Sequence, residues 1–301
     1  MNYLYLLIEK CMDQTNNHKQ EVVSYYVDTG LDYGEWSRNF NMHFGFYRFP
    51  MNPFRREPML EEMNRQVFNH LRLKNEDILI YDLGCGLGAP CRSLVKKFPD
   101  KNVKGITIVP WQIEKANELN KIAAVGSSVE FILGDYTLLP FADNSADAVY
   151  ALESCCHCEG LDKAAFIKEM IRVLKPGKRF VIVDGFIKKD PSSFSRLLRY
   201  CYNEICKGWA LPSFPHLGLL TDAIKKYGGD EIEIKDFSYR VAPSVVHAPF
   251  AVTYFLIKKM LQGEKLNPVR KGHLKACLLG LILGLHNHRF AYCLITGIKK
   301  R

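Results

Sequence analysis

Negative charge is almost missing from one end of this chain. Between residues 250 and 301, Glu264 is the lone acid against ten Lys or Arg, a surplus of +9 that equals the formal charge of all 301 residues. The rest of the chain is close to neutral. A basic edge of this kind suits a solvated face, an anionic lipid surface or an anionic substrate such as a diphosphate. No nucleic-acid-binding module accompanies it, which argues against a nucleic-acid partner. Long apolar runs are missing too. The opening MNYLYLLIEKC has only about six apolar residues in a row and no preceding basic residue, a poor fit to a cleavable signal. The run ACLLGLILGLHNH (276–288) holds about ten apolar residues, short of the roughly 20 that cross a bilayer. We therefore expect a non-spanning, cytoplasmic chain that can still meet a membrane peripherally.

Also absent are internal repeats, low-complexity segments and a Gly/Ser/Pro-rich linker, so one continuous fold is expected. The ten cysteines are scattered through an apolar chain, a usage that fits a reducing compartment better than a disulfide framework. The phosphate-binding signature ending Gly-Lys-Ser/Thr does not occur, nor does the dinucleotide spacing G-x-G-x-x-G.

What is present is alternation. The stretch PMLEEMNRQVFNHLRL (58–73) places Leu60, Met63, Val67, Phe68 and Leu71 at helical spacing. From residue 77 onward, short apolar strands (77–83, NVKGITI, SVEFIL, ADAVYAL, RFVIVDGF) alternate with helical stretches at 89–97, 111–122 and 162–174. Strands buried on both faces and separated by helices imply a parallel sheet wrapped by helices, with ligands at the carboxyl ends of the strands. After residue 186 about a hundred residues rich in Phe, Tyr, Leu and Met precede a last strand at 290–300. We read 1–75 as an aromatic and helical lid, 76–186 as the core, and 187–301 as a substrate cover plus the final sheet strands.

The sharpest motif is YDLGCGLGAPC (81–91), an acid at the end of a strand followed by Gly84, Gly86 and Gly88. Glycines there allow a tight turn whose amides approach a ligand beside a helix N-terminus. A second is YALESCCHCEG (150–160). Zinc binding by Cys155, Cys156, His157 and Cys158 is disfavoured because adjacent cysteines cannot easily reach one ion together. A thiolate nucleophile lacks a visible base. The position at the end of the fourth strand instead points to Glu153 and His157 as lining an active site.

With GITIVPWQ (105–112), GDYTLLPF (134–141), DAVYALES and RVLKPGKRFVIVD (172–184), the glycine motif resembles class I S-adenosylmethionine-dependent methyltransferases over residues 78–184. Within them it looks most like the sterol, tocopherol and prenyl-diphosphate methyltransferases. The resemblance implies a Rossmann-like seven-stranded, mostly parallel sheet and S-adenosyl-L-methionine as cofactor. It implies that Asp82, Gly84, Cys85 and Gly86 hold the methionine moiety and that Asp135 and Tyr136 meet the adenine. Thr107 and Gln112 stand where many relatives carry a ribose-binding carboxylate. Tyr25, Tyr26 and His43 would fold over the cofactor and face its methyl group. Glu153, His157, His43 and Tyr26 are the catalytic candidates, and no metal is implied. The expected reaction is methylation of a carbon of a lipophilic prenyl, sterol or terpenoid acceptor. The alternatives are methylation of oxygen, nitrogen or a phenol or quinone ring on a smaller compound, and a non-catalytic module that binds cofactor or lipid.

Overall fold

A computed structural model of the chain describes residues 17–301. Seven strands form one sheet in the order β3-β2-β1-β4-β5-β7-β6: β1 (Leu79–Leu83), β2 (Asn102–Thr107), β3 (Val129–Leu133), β4 (Ala146–Leu152), β5 (Leu174–Ile187), β6 (Gly229–Asp236) and β7 (Phe290–Lys299). β1 to β5 run parallel, and β7 is antiparallel to both β5 and β6. β4 is buried at every position, as a central parallel strand covered on both faces must be.

The helices are α1 (Asn17–Thr29), α2 (Tyr33–Trp36), α3 (Arg56–Leu71), α4 (Ala89–Lys97), α5 (Pro110–Ala123), α6 (Ala164–Val173), α7 (Arg196–Gly208), α8 (Leu217–Lys226), α9 (Ser238–Val245), α10 (His247–Leu261) and α11 (Pro268–Gly284). The stripe expected in α3 is buried, and Met63, Val67, Phe68 and Leu71 join one core cluster with Ile80, Tyr150 and Val181 of the sheet. Burying a large apolar side chain contributes about 1.5–3 kcal/mol, so α3 is fastened by its stripe rather than by propensity.

Two elements depart from the sequence reading. β6 lies inside what was read as cover, and its sequence GDEIEIKD carries five charged residues in eight. It is an edge strand, and edges are kept charged to resist pairing with other chains; that charge masks its apolar alternation. β5 begins at Leu174, ahead of the apolar RFVIVDGF, because Leu174 pairs with Ala146 before a register shift carries Ala148 to Arg179.

α7 and α11 cross closely enough that a Cβ on Gly208 would lie 2.5 Å from the Gly272 carbonyl oxygen. α9 and α10 follow one another almost without interruption, and Ser238–Leu261 is long and apolar enough, by length and composition, to cross a membrane. Its inner residues Val241, Ala248, Val252 and Phe255 are nevertheless buried in the fold.

Candidate active site

The carboxyl ends of β1, β2, β3 and β4 open into a cavity of about 180 Å³. Its floor is the glycine turn. Gly84 has φ +91 and a Cβ there would sit 2.4 Å from Ser154 Cβ, while Gly88 has φ +73 and a Cβ there would meet the Phe131 ring at 2.1 Å. Only glycine satisfies both backbone and space. The amides of Gly84 and Cys85 both donate to Ile106 O at 2.9 Å, which fixes the turn against β2. The amide of Gly86, which lines the cavity, has no acceptor among the described residues, so it can serve a ligand anion just ahead of α4.

Gly84, Gly86, Thr107, Gln112, Asp135 and Tyr136 all line this cavity. Asp135 Oδ1 accepts from the amide and hydroxyl of Thr137, both at 2.7 Å. Its Oδ2 meets Lys19 Nζ of α1 at 2.5 Å. Burial would raise this carboxyl, but the bonds from Lys19 and Thr137 outweigh it and hold it below its usual range. The Tyr136 hydroxyl donates to Ser154 O at 3.0 Å. Thr107 donates to Gln112 Oε1 at 2.6 Å, leaving the Gln112 amide nitrogen without an acceptor among the described residues and able to donate to a ligand hydroxyl.

Three cofactor residues expected from the resemblance lie elsewhere. Asp82 is buried beneath the turn and lines neither this cavity nor its neighbour. Its carboxylate accepts from the Cys91 thiol at 3.1 Å, and burial raises it to about 7. The Cys85 side chain packs under Gly105. Tyr25 lines the neighbouring cavity, where its hydroxyl bonds His273 Nδ1 at 2.7 Å.

That second cavity, of about 290 Å³, lies under the cover and is walled by α7, α9, α10, α11 and β7 together with α1 and α2. Among the described residues, Tyr26, Glu153 and His157 alone face both cavities. Glu153 follows β4 at φ +50, its amide bonded to Val183 O at 2.7 Å. Holding a non-glycine residue in this region costs about 1–3 kcal/mol. Glu153 Oε1 accepts from the Phe44 amide at 2.7 Å and the Tyr292 hydroxyl at 2.6 Å. Burial raises the Glu153 carboxyl to about 8; these two bonds oppose the rise and nearby Asp184 adds to it.

His157 Nδ1 lies 3.2 Å from the Ala210 carbonyl, an acceptor only, so Nδ1 carries the proton. Nε2 is then bare and accepts from the Tyr26 hydroxyl at 3.1 Å. Tyr26 thus turns oxygen lone pairs, not its proton, toward the cavities. Burial lowers His157 to about 4, so its ring is neutral at pH 7. His43 faces the larger cavity only. Its ring nitrogens lie 2.9 Å from Phe44 O and 3.1 Å from Asn41 Oδ1, which leaves neither free for an acceptor.

The cysteine cluster is a supporting loop. Buried Lys163 donates to the carbonyls of Cys158 at 2.6 Å and Ser213 at 2.8 Å. Asp184 accepts from the Cys155 thiol at 3.2 Å and the Cys156 amide at 3.1 Å. Burial pushes both thiols well above their usual range. Among the described residues no group of three or more His, Cys, Asp or Glu is arranged to hold a metal ion. Tyr292, Asp184, Lys163 and Lys19 are site residues that sequence reasoning missed. The usable signal for Asp184 was its place at the end of an apolar strand, as for Asp82. Tyr292 gave none, because its meeting with Glu153 depends on β7 joining the sheet late.

Residues 81–182 match the family model described as Methyltransferase domain. Cycloartenol-C-24-methyltransferase 1 of Oryza sativa subsp. japonica is 30% identical over 220 residues, covering 72% of this chain and 61% of that protein. The chloroplastic tocopherol O-methyltransferase of Arabidopsis thaliana is 32% identical over 167 residues, covering 54% of this chain and 47% of that protein. The chain therefore spans less than two thirds of the length of either relative. The solved geranyl diphosphate C-methyltransferase from Streptomyces coelicolor A3(2), in complex with Mg2+, geranyl diphosphate and S-adenosyl-L-homocysteine, has the same fold at a TM-score of 0.70 and 15% identity, with 95% of this chain and 99% of that one covered. With the seven-stranded sheet and the glycine turn, these matches show a methyltransferase domain over residues 81–182 and the fold of the class I S-adenosylmethionine-dependent methyltransferases.

Proposed function

We propose that the chain methylates a carbon of a lipophilic, neutral acceptor of the sterol or terpenoid kind, with the acceptor in the larger cavity and S-adenosyl-L-methionine in the smaller. The observation that carries this reading is the shared wall of Tyr26, Glu153 and His157, which brings two ligand sites to one set of side chains. The smaller cavity fits the cofactor by its donor set. The Gly86 amide suits a carboxylate, the Gln112 amide nitrogen suits a ribose hydroxyl, and Asp135 and Tyr136 suit an adenine edge. S-adenosylmethionine bound there supplies an electrophilic methyl group on a sulfonium.

An alkene carbon that gains a methyl leaves positive charge on its neighbour, and that cation must lose a proton. The Glu153 carboxylate is placed to stabilise the charge and accept the proton, and Phe44 N–H and Tyr292 O–H hold it in one orientation. Tyr26 adds an aromatic face and an oxygen lone pair. Among the described residues the larger cavity is lined by no Lys or Arg, while Asp32, Glu35, Glu153 and Asp184 are all present. That lining supports a neutral acceptor over a diphosphate, which needs cationic partners. The basic end of the chain does not supply them: Lys258 pairs with Glu35, Lys259 with Glu264, and Arg270 with Asp32 and Glu264.

Product mass spectrometry with deuterated methyl donor and a panel of sterols, unsaturated terpenes, prenyl diphosphates and tocopherol-type phenols tests the reading. A carbon-methylated neutral terpenoid is expected. Methyl found only on oxygen or nitrogen, or only on diphosphates, would overturn it.

A further inference from the structure

α10 is apolar on two sides, and its outer side has no partner among the described residues. Ala248, Val252 and Phe255 face inward and wall the larger cavity. Val246, Phe250, Tyr254, Ile257 and Leu261 recur at intervals of four, four, three and four residues, which places them on one helical face. They are 52, 72, 61, 49 and 79% exposed. At a rise of about 1.5 Å per residue the stripe runs roughly 22 Å. It continues past the start of the helix, where His247 Nε2 donates to Pro53 O at 2.8 Å and so brings up the loop carrying Phe49 and Phe54, 80 and 86% exposed.

Single exposed apolar residues are ordinary, but a contiguous stripe of large ones marks an interaction site. The charge around it is basic. Arg55, Lys265 and Lys271 have no acidic partner among the described residues, and Lys265 and Lys271 follow the carboxyl end of the stripe. Val246 and Leu285 are exposed and line the larger cavity as well, so the stripe is continuous with that cavity's mouth.

We propose that this outer face of α10, with Phe49 and Phe54, docks on the interfacial layer of an anionic lipid bilayer and turns the mouth of the larger cavity toward the lipid. The inference rests on reading that cavity as the site of a lipophilic acceptor. An acceptor of that kind is poorly available from water, whereas a mouth seated on a bilayer receives it directly from the lipid phase. A helix lying in the interface needs an apolar stripe, aromatic residues and nearby basic charge, and α10 has all three. It does not need to cross the membrane, because its inner face is already committed to the cavity wall. A second copy of the chain on the same stripe would cover the mouth.

Flotation of the full chain with vesicles of phosphatidylcholine containing phosphatidylglycerol, compared with phosphatidylcholine alone, tests this without any acceptor. The wild type is expected to float with the anionic vesicles and less with the neutral ones. Phe250→Asp with Ile257→Asp should weaken vesicle binding about tenfold or more, and the milder Tyr254→Ser should weaken it less. Unchanged cofactor affinity by calorimetry shows that each variant is folded. No flotation of the wild type, equal flotation of the variants, or a stable dimer by light scattering that the same substitutions dissociate would overturn the proposal. A chain that floats but methylates no lipophile keeps the docking surface and loses the acceptor reading; the reverse result loses the docking surface alone.

Discussion

The two cavities share three side chains and differ in what builds them. The smaller is built close to the backbone: a glycine turn, strand ends and the first residues of helices, with Thr107, Gln112, Asp135 and Tyr136 fixed beside them by a sheet whose geometry leaves little choice. The larger is made of side chains projecting from α7, α9, α10 and α11, where each residue can change size without disturbing the sheet. The difference separates two kinds of specificity. The donor site is fixed by the fold, and the acceptor site is written in replaceable side chains, with Glu153 on the boundary answering to both.

The largest effect should come from the boundary. Glu153→Gln keeps the shape and both hydrogen-bond donors' positions but removes the charge, and turnover should fall by about 10²- to 10³-fold with cofactor affinity almost unchanged, measured by steady-state kinetics and calorimetry. A large loss of cofactor affinity instead would assign Glu153 to the donor site alone.

Next is a change confined to the donor side. Asp135→Ala removes the acceptor of the Thr137 bonds and should weaken cofactor binding by about 10- to 50-fold, with acceptor binding intact. Ala248→Leu is the matching change on the acceptor side. It adds bulk to a wall residue that is 3% exposed and should raise the acceptor KM by about tenfold while cofactor binding stays the same. If either substitution moved both affinities equally, the cavities would not be independent sites.

The smallest effect is a proton. With its carboxyl raised to about 8, Glu153 is protonated in the free protein at pH 7. A sulfonium beside it favours the carboxylate and lowers that value modestly, so cofactor binding at pH 7 should release about half a proton or less, a coupling small enough that Glu153→Gln changes cofactor affinity only about twofold. Affinity should then rise with pH and level off above about 8. Calorimetry in two buffers of different ionisation enthalpy reads the proton directly, and Glu153→Gln should abolish it. Because His157 is lowered to about 4, no inflection from it is expected near pH 6.5.

The donor side was legible in the sequence because its signals are local. Gly84, Gly86 and Gly88 announce a turn by themselves, and Asp135 and Glu153 stand at the ends of apolar runs. Asp82 shows the limit of such signals. Strand alternation decides which side of the sheet a carboxylate reaches, and Asp82 ends beneath the turn against Cys91. The acceptor side was legible only in composition. Tyr292 meets Glu153 across 139 residues of sequence, and Tyr25 meets His273 across 248. No spacing in the chain reports contacts of that range. β6 went unseen because an edge strand must be charged.

α10 also constrains how this chain can change length. Its inner and outer faces are both apolar, so substitution between them is chemically mild. An inserted or deleted residue is not mild, because each residue turns an α-helix by about 100°. One such step inside α10 would carry the residues beyond it off the cavity wall and bring others onto it. Point changes in this helix adjust the acceptor site, whereas insertions and deletions dismantle it.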